Sequence, residues 1–280
     1  MIAKNSPLIH PLEIKGNNNV IIDARSGPGA HDRYLEKHLG GALHVDLDRD
    51  LSSKPIDPAY GGRHPLPDIK DFAALLGKLG ITPSSNVIIY DDKNGANAAA
   101  RLWWMLRAVG HENVRVVDGG LDAIIREGLQ LTSGAEMANS TSPYLVSNWL
   151  LPTVPLNEVV DKAELDEYLV IDVRESYRYR GESEPIDLVA GHIPGAVNIP
   201  YIDNLADDGS FRSSDDLAKT YKSKIGDRPP SNIIVHCGSG VTACHTLLAL
   251  EHAGIRGANL YVGSWSEWSR RGLPIATGDK

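Results

Sequence analysis

The chain has 280 residues, 42% of them hydrophobic, and a formal net charge of −8. This length suits two domains with cores of their own, and the charge argues against nucleic acid or an anionic membrane surface as a partner. With no apolar run of membrane-spanning length, no secretory signal at residues 1–15 and only 2 cysteines, the expected compartment is a reducing cytoplasm.

Taken in chain order, the predicted elements form one pattern that occurs twice. Short apolar runs such as VIIDAR (20–25) are typical of buried parallel strands. Three segments of the first half have counterparts in the second half, in the same order. They are VIIDAR itself, EKHLGGALHVDL (36–47) and NVIIYDDKNGANAAARLWWMLRAVGHENVRVVDGGL (86–121). Their counterparts are VIDVR (170–174), VAGHIPGAVNIPY (189–201) and NIIVHCGSGVTACHTLLALEHAGIRGANLYVGSW (232–265). The sequence therefore predicts a duplicated α/β domain.

A connector separates the two copies. The stretch 132–155 is rich in Ser, Thr, Asn and Pro, a composition that marks loops rather than regular elements. We accordingly expect a first domain over residues 1–140, a linker over 141–156 and a second domain over 157–280.

Cys237 stands where a strand is predicted to end and a helix to begin. The apolar run before it reads as a buried strand, and a helix is expected from about Thr242. Open α/β sheets bind ligands at this edge. The glycines of Gly238-Ser239-Gly240 let backbone N–H groups turn inward, and the helix N-terminus adds partial positive charge. We therefore predict a nucleophilic thiolate and an anion site there. Cys244, inside the helix, is interpreted as a packed apolar residue.

Two classes of enzyme use a cysteine in such a loop. Cysteine phosphatases need an arginine six residues after the nucleophile to clamp phosphate, and Ala243 stands at that position. Without a cation in the loop, phosphoryl transfer lacks its main electrostatic stabiliser. Sulfur transfer through a persulfide needs only the thiolate and the loop amides, so the residues favour it.

The two copies differ at the position of the cysteine. Asp91 occupies the place of Cys237 in the first copy, within YDDKNGANAAAR. A carboxylate cannot form a persulfide, so the first domain is predicted to be catalytically silent. Its loop is also two residues longer before the helix.

The chain resembles tandem-domain sulfurtransferases of the rhodanese family over nearly its whole length. The resemblance rests on D-x-R at Asp172–Arg174, on GHIPGAVNIP (191–200), on CGSGVT (237–242) and on GSWSEW (263–268). It implies two α/β domains, each a parallel sheet with helices on both faces, of which the second carries the active cysteine.

The loop CGSGVT is similar to that of 3-mercaptopyruvate sulfurtransferases, whereas thiosulfate-specific members tend to have basic residues there. The resemblance to the former implies a Ser-His-Asp constellation, which falls on Ser239, on His64 in RHPLPD and on Asp48 in HVDLD. It would deliver a proton to the carbon that sulfur leaves. Residues Gly238, Gly240, Val241 and Thr242 would bind the substrate through the loop.

Arg178, in YRYRGESEP, matches the family's arginine that faces the anionic group of the donor. A second family arginine commonly follows E-P, but this chain has Ile186 and Asp187 there. Arg180 is a candidate substitute at a different spacing. Arg178 is thus expected to face the donor, and Arg180 stays open as a second cation.

We therefore predict an enzyme that moves a sulfane sulfur from a small donor, preferably 3-mercaptopyruvate, through a Cys237 persulfide. The expected acceptor is a thiol such as thioredoxin, or cyanide. The alternatives are a thiosulfate sulfurtransferase and a persulfide carrier that serves a protein partner without turnover. No cofactor or metal is expected, because no Cys/His cluster has metal-ligand spacing and no nucleotide-binding glycine pattern follows a strand.

Overall fold

The computed structural model describes residues 6–14 and 19–279, which divide into two compact units. The first unit contains the chain up to Ser53, Leu66–Leu150 and Asp207–Phe211. The second contains Lys54–Pro65, Leu151–Ala206 and the chain from Arg212. A segment from the first half of the sequence, Lys54–Pro65, thus belongs to the second unit.

The elements of the first unit are β1 (Leu8–Ile9), a 3₁₀ helix (Pro11–Glu13), β2 (Asn19–Asp23), α1 (Ala30–Glu36), β3 (His38–Leu39), β4 (Ala42–His44), α2 (Leu47–Asp50), α3 (Ile69–Lys78), β5 (Asn86–Tyr90), α4 (Ala98–Ala108), β6 (Val114–Val117), α5 (Gly120–Arg126) and β7 (Leu131–Thr132). They form a parallel sheet in the strand order β1-β6-β5-β2-β4, and β3 pairs antiparallel with β7.

The elements of the second unit are α6 (Leu156–Lys162), β8 (Leu169–Asp172), α7 (Ser176–Tyr179), β9 (Val197–Asn198), a 3₁₀ helix (Tyr201–Asn204), α8 (Ser214–Ile225), a 3₁₀ helix (Pro230–Asn232), β10 (Ile233–His236), α9 (Thr242–His252), β11 (Asn259–Leu260) and α10 (Ser264–Trp268). Its strands form a parallel sheet in the order β11-β10-β8-β9. Each unit is an α/β fold with helices on both faces of its sheet, which confirms the predicted fold class.

The central strands of both sheets are apolar because both of their faces are covered. Every residue of β8 and of β10 is buried, and Val170 and Ile234 belong to a core cluster that includes Trp265 and Trp268. Helix α9 is buried over Ala243–Leu250, whereas α8 buries only one side, through Leu217, Tyr221 and Ile225. The helix that follows the cysteine loop is therefore held by packing on all its sides.

None of the helices over the described residues is both long enough and apolar enough to cross a membrane.

Candidate active site

Cys237 directly follows β10, whose last residue, His236, pairs in register with Asp172 at the end of β8. The backbone of Cys237 is fixed at both ends: its N–H donates to Ser264 Oγ at 3.2 Å, and its carbonyl accepts from Trp265 N at 3.0 Å. The residue is only 3% exposed. The cysteine thus sits at the carboxyl edge of the sheet, in the position predicted from the sequence.

The loop after the cysteine requires glycine at position 240. Gly240 has φ 74°, and a Cβ there would lie 2.5 Å from the carbonyl oxygen of Val262. Both the left-handed backbone and the close approach exclude a side chain. The amides of Ser239, Val241 and Thr242 have no backbone or side-chain acceptor among residues 6–14 and 19–279. Together with the N-terminus of α9, these amides can receive an anion.

The first unit fills the equivalent place with its own carboxylate. Asp91 directly follows β5 (Asn86–Tyr90), and its side chain accepts from the amides of Lys93 at 2.9 Å, Gly95 at 2.8 Å, Asn97 at 3.2 Å and Ala99 at 3.1 Å. Six residues, 92–97, separate Asp91 from α4, whereas four, 238–241, separate Cys237 from α9. Because an internal anion occupies these amides, the geometry supports the prediction that this loop is silent.

We expect Asp91→Ala to lower stability without changing the rate of sulfur transfer. The side chain is fully buried, and its loss leaves four amides without an acceptor, at a cost of about 3 kcal/mol. Burial raises the pKa of Asp91, and the four amides oppose that shift. Chemical denaturation should show the loss, and kcat measured below the unfolding range should stay within about two-fold of the parent. The exposed Asp122 provides a control variant, Asp122→Ala, and a kcat loss specific to Asp91→Ala would contradict the silence of this loop.

The segment Lys54–Pro65 brings His64 to the cysteine loop. His64 Nδ1 lies 2.7 Å from Ser239 Oγ. Gly61 N donates to Glu267 Oε1 at 2.9 Å, and Arg63 N donates to Ser266 Oγ at 3.0 Å. These bonds attach the backbone on either side of Gly62 to helix α10, which fixes the position of the imidazole. Two of the three members of the predicted Ser-His-Asp constellation are therefore in contact.

Asp48, the third member, lies in helix α2 of the first unit and is exposed. Its participation in the constellation stays a prediction. The remaining predicted residues, Gly238, Gly240, Val241 and Thr242, form the loop and the start of α9 as expected.

Arg178 is buried and held in place by carboxylates. Its Nε and Nη2 donate to Glu184 Oε1 at 3.1 and 2.8 Å. Burial alone would lower the pKa of Arg178, but Glu184 raises it above the ordinary value. A Cβ placed on Gly238 would lie 3.4 Å from Arg178 Nη2, so the guanidinium does border the loop. Arg180, the candidate substitute, instead pairs at the surface with Glu182 at 2.6 Å.

Arg63 was not predicted as a site residue. A Cβ on Gly238 would lie 3.0 Å from Arg63 Nη2, so Arg63 comes as close to the loop as Arg178 does. Its guanidinium pairs with Asp187 at 3.1 Å. The only sequence signals were its position directly before His64 and the replacement of the family's second arginine by Asp187. The structure therefore places a second arginine, Arg63, beside the loop in addition to Arg178.

Two buried ion pairs near the strand ends are structural. Arg174 contacts Asp172 at 2.5 Å and the carbonyl of Gly191 at 2.6 Å, and the first unit repeats the pair as Arg25 and Asp23 at 2.5 Å. Burial would raise the pKa of Asp172, but the charge of Arg174 holds it below the ordinary value. The recurrence of the pair in the copy without a cysteine indicates a bracing role.

Two further residues near the loop are packed in the core, and for Cys244 this was the prediction from the sequence. Cys244 is fully buried, and its thiol donates to the carbonyl of Gly240 at 3.4 Å. His236 is also fully buried, and burial lowers its pKa. Across the residues that the structure describes, no group of three or more His, Cys, Asp or Glu side chains could hold a metal ion.

Comparison with known proteins finds the rhodanese-like domain family twice, at residues 11–127 and 156–271. A probable 3-mercaptopyruvate sulfurtransferase of Pseudomonas aeruginosa is 42% identical over 252 residues, covering 88% of this chain and 86% of the relative. A putative thiosulfate sulfurtransferase, SseB of Mycobacterium tuberculosis, is 38% identical and covers 96% of both chains. The solved structure of 3-mercaptopyruvate sulfurtransferase from Leishmania major superimposes with TM-score 0.83 at 28% identity, covering 95% of this chain and 75% of that one.

Proposed function

The chain belongs to the rhodanese-like domain family and is a sulfurtransferase, and on that premise we propose that it takes sulfur from 3-mercaptopyruvate onto Cys237. The observation that carries the proposal is the contact of 2.7 Å between His64 Nδ1 and Ser239 Oγ, in the loop that begins at Cys237. A hydroxyl and an imidazole so placed can transfer a proton. Only a donor with a carbon leaving group makes use of that proton.

The first half of the reaction transfers sulfur to the enzyme. The Cys237 thiolate attacks the thiol sulfur of the donor, the S–S bond forms and the C–S bond breaks. The electron pair of the broken bond passes to the donor carbon as an enolate, which takes a proton from the Ser239–His64 pair and leaves as pyruvate. The S–H proton of the donor passes from the new persulfide to solvent, and the loop amides stabilise the negative charge that the persulfide then carries on Cys237.

The second half of the reaction releases the sulfur. A thiolate acceptor attacks the outer sulfur, becomes a persulfide itself and expels the Cys237 thiolate. Cyanide attacks in the same way and leaves as thiocyanate. We propose that the chain works in a reducing cytoplasm, because its two cysteines are both free thiols. The acceptor proposed for that compartment is a protein thiol such as thioredoxin.

Thiosulfate is the alternative donor. The Mycobacterium tuberculosis relative, which matches nearly the whole chain, is named for it, and two arginines border the loop instead of one. The carboxylates paired with these arginines offset part of their charge, which weakens the attraction for a dianion. The Ser239–His64 contact would also have no purpose with thiosulfate, because sulfite leaves without needing a proton on carbon. A carrier without turnover is the remaining alternative.

The proposed donor predicts a kinetic preference. We expect kcat/KM for 3-mercaptopyruvate to exceed that for thiosulfate by at least ~10-fold, equivalent to about 1.4 kcal/mol of transition-state stabilisation. Both donors should be assayed with one common acceptor, and intact mass should show one added sulfur after either donor. Equal efficiencies or a preference for thiosulfate would contradict the donor assignment. A persulfide that forms without multiple turnovers would favour the carrier.

A further inference from the structure

Several charged groups around the cysteine loop have no task in the proposed mechanism. Asp187 is one of them: its carboxylate is fully buried and contacts Arg63 at 3.1 Å, Arg270 at 3.1 Å and Arg178 at 3.7 Å. It stands near the position where the resemblance leads one to expect a second arginine. This chain therefore has a negative charge where a positive one was expected.

The geometry divides the guanidinium of Arg63 into a held edge and an open edge. Nε and Nη2 donate to the two oxygens of Asp187 at 3.1 and 3.3 Å, in the fork arrangement that fixes an arginine most firmly. Nη1 has no hydrogen-bond partner within residues 6–14 and 19–279, and the side chain is 25% exposed. A Cβ on Gly238, the residue after the nucleophile, would lie 3.0 Å from Nη2, the nitrogen that the held and open edges share. The open edge, formed by Nη1 and the second N–H of Nη2, therefore borders the cysteine loop and can receive a ligand there.

The charges around Asp187 balance before a donor binds. The connected ion pairs comprise four guanidinium groups and four carboxylates: Arg63, Arg174, Arg178, Arg270, Asp172, Asp187, Glu175 and Glu184. A monoanion on the open edge of Arg63 adds one uncompensated negative charge and a dianion adds two, so this network disfavours the dianion more strongly.

We propose that Arg63 binds the carboxylate of the α-keto acid donor, and that Asp187 is the positioning residue that aims Arg63 and restrains the site from accepting dianions. In this arrangement Arg63 supplies the second cation of the site from a distant part of the sequence. The assignment deepens the proposed function and rests on it, since it concerns the donor of that same reaction.

Arg63→Gln tests the binding role. The substitution removes the guanidinium of Arg63 together with its open edge. Asp187 keeps its contacts with Arg178 and Arg270, so no buried carboxylate is left unpaired. We expect KM for 3-mercaptopyruvate to rise by about 10-fold or more, with kcat within about three-fold. The dissociation constant of 3-mercaptopyruvate, measured by calorimetry in the non-reacting Cys237→Ser background, should rise in parallel. Arg180→Gln, which removes a surface arginine of the same unit, is the matched control.

Asp187→Asn tests the selection between donors. The substitution removes one negative charge beside the loop and leaves the arginines one charge in excess, so kcat/KM for thiosulfate should rise by about five-fold or more while that for 3-mercaptopyruvate does not. A purely structural carboxylate would lower both values together, which would overturn the positioning role. Arg63→Lys provides a second variant if Asp187→Asn does not fold. Lysine keeps the positive charge but cannot form the fork with Asp187, so its affinity for 3-mercaptopyruvate should lie between those of the parent and Arg63→Gln.

The two proposals fail in different ways. If the parent enzyme turns over 3-mercaptopyruvate and Arg63→Gln leaves both KM and the dissociation constant unchanged, the role of Arg63 is overturned and the proposed function stands. If the parent prefers thiosulfate, the donor assignment is overturned. In that case the dissociation constant of 3-mercaptopyruvate still tests Arg63 by itself. If Arg63→Gln leaves this constant unchanged, the Arg63 assignment is overturned as well.

Discussion

Cys237→Ser abolishes sulfur transfer with every donor, and Cys244→Ser retains most of it: this is the expected result with the largest effect. A serine hydroxyl at neutral pH is a far weaker nucleophile than a thiolate and cannot hold a sulfane sulfur. We expect a loss of about 10³-fold or more, equivalent to ~4 kcal/mol of transition-state stabilisation. Assays with 3-mercaptopyruvate and thiosulfate should both show the loss.

Cys244 is a matched control because it is the chain's other cysteine and lies in the helix that begins after the same loop. Its thiol donates to the Gly240 carbonyl at 3.4 Å, and a serine hydroxyl can make the same bond. Intact mass after exposure to a donor should show one added sulfur in the parent and in Cys244→Ser, and none in Cys237→Ser. Added sulfur in Cys237→Ser that disappears with Cys244→Ser would reverse the assignment.

The sequence was sufficient to locate the cysteine loop because local signals specify it. An apolar run ends at His236, two glycines follow within four residues, and a helix begins at Thr242. Each of these features depends only on neighbours along the chain. The same reasoning identified Asp91 as the counterpart in the first copy. It did not reveal that the Asp91 carboxylate fills its own loop, because the inward turn of the backbone from Lys93 to Ala99 has no clear sequence signal.

The arginines around the loop were harder to predict because their positions depend on contacts across the sequence. Arg63 and Ser266 are bonded at a separation of 203 residues. No periodicity or spacing relates Lys54–Pro65 to the second copy, and the repeat pattern placed it with the first. From the sequence, Asp187 was noted only because it stands where the family commonly has a second arginine. Its partnership with Arg63, at a separation of 124 residues, required the fold.

The bracing pairs show the opposite case. Asp23–Arg25 and Asp172–Arg174 each lie two residues apart, so the sequence alone displays the pair in both copies, and its presence in the unit without the cysteine indicates a structural role. Duplication thus provides an internal control within one sequence. A feature present in both copies serves the fold, and a feature present only in the second, such as Cys237 or Ser239, is a candidate for the chemistry.

His64→Ala should lower kcat with 3-mercaptopyruvate by about 10²-fold, equivalent to ~2.7 kcal/mol, which is at the lower end of the range for general acid–base catalysis. The imidazole contacts Ser239 Oγ at 2.7 Å, so its loss interrupts proton delivery to the departing carbon. With thiosulfate the leaving group is sulfite, which needs no such proton. We therefore expect kcat with thiosulfate to change by less than about three-fold.

The difference between the two donors separates a catalytic histidine from a structural one. A histidine that only supports the loop would, when removed, displace Ser239 and Cys237 for either donor, and both rates would fall together. Ser239→Ala should reproduce the donor-selective loss of His64→Ala, and the double variant should lose little more than either single one, because both residues act in one proton transfer. His10→Ala, in the first unit, controls for the loss of an imidazole elsewhere. An unchanged kcat with 3-mercaptopyruvate would remove His64 from the mechanism, and with it the observation that favours a keto-acid donor over thiosulfate.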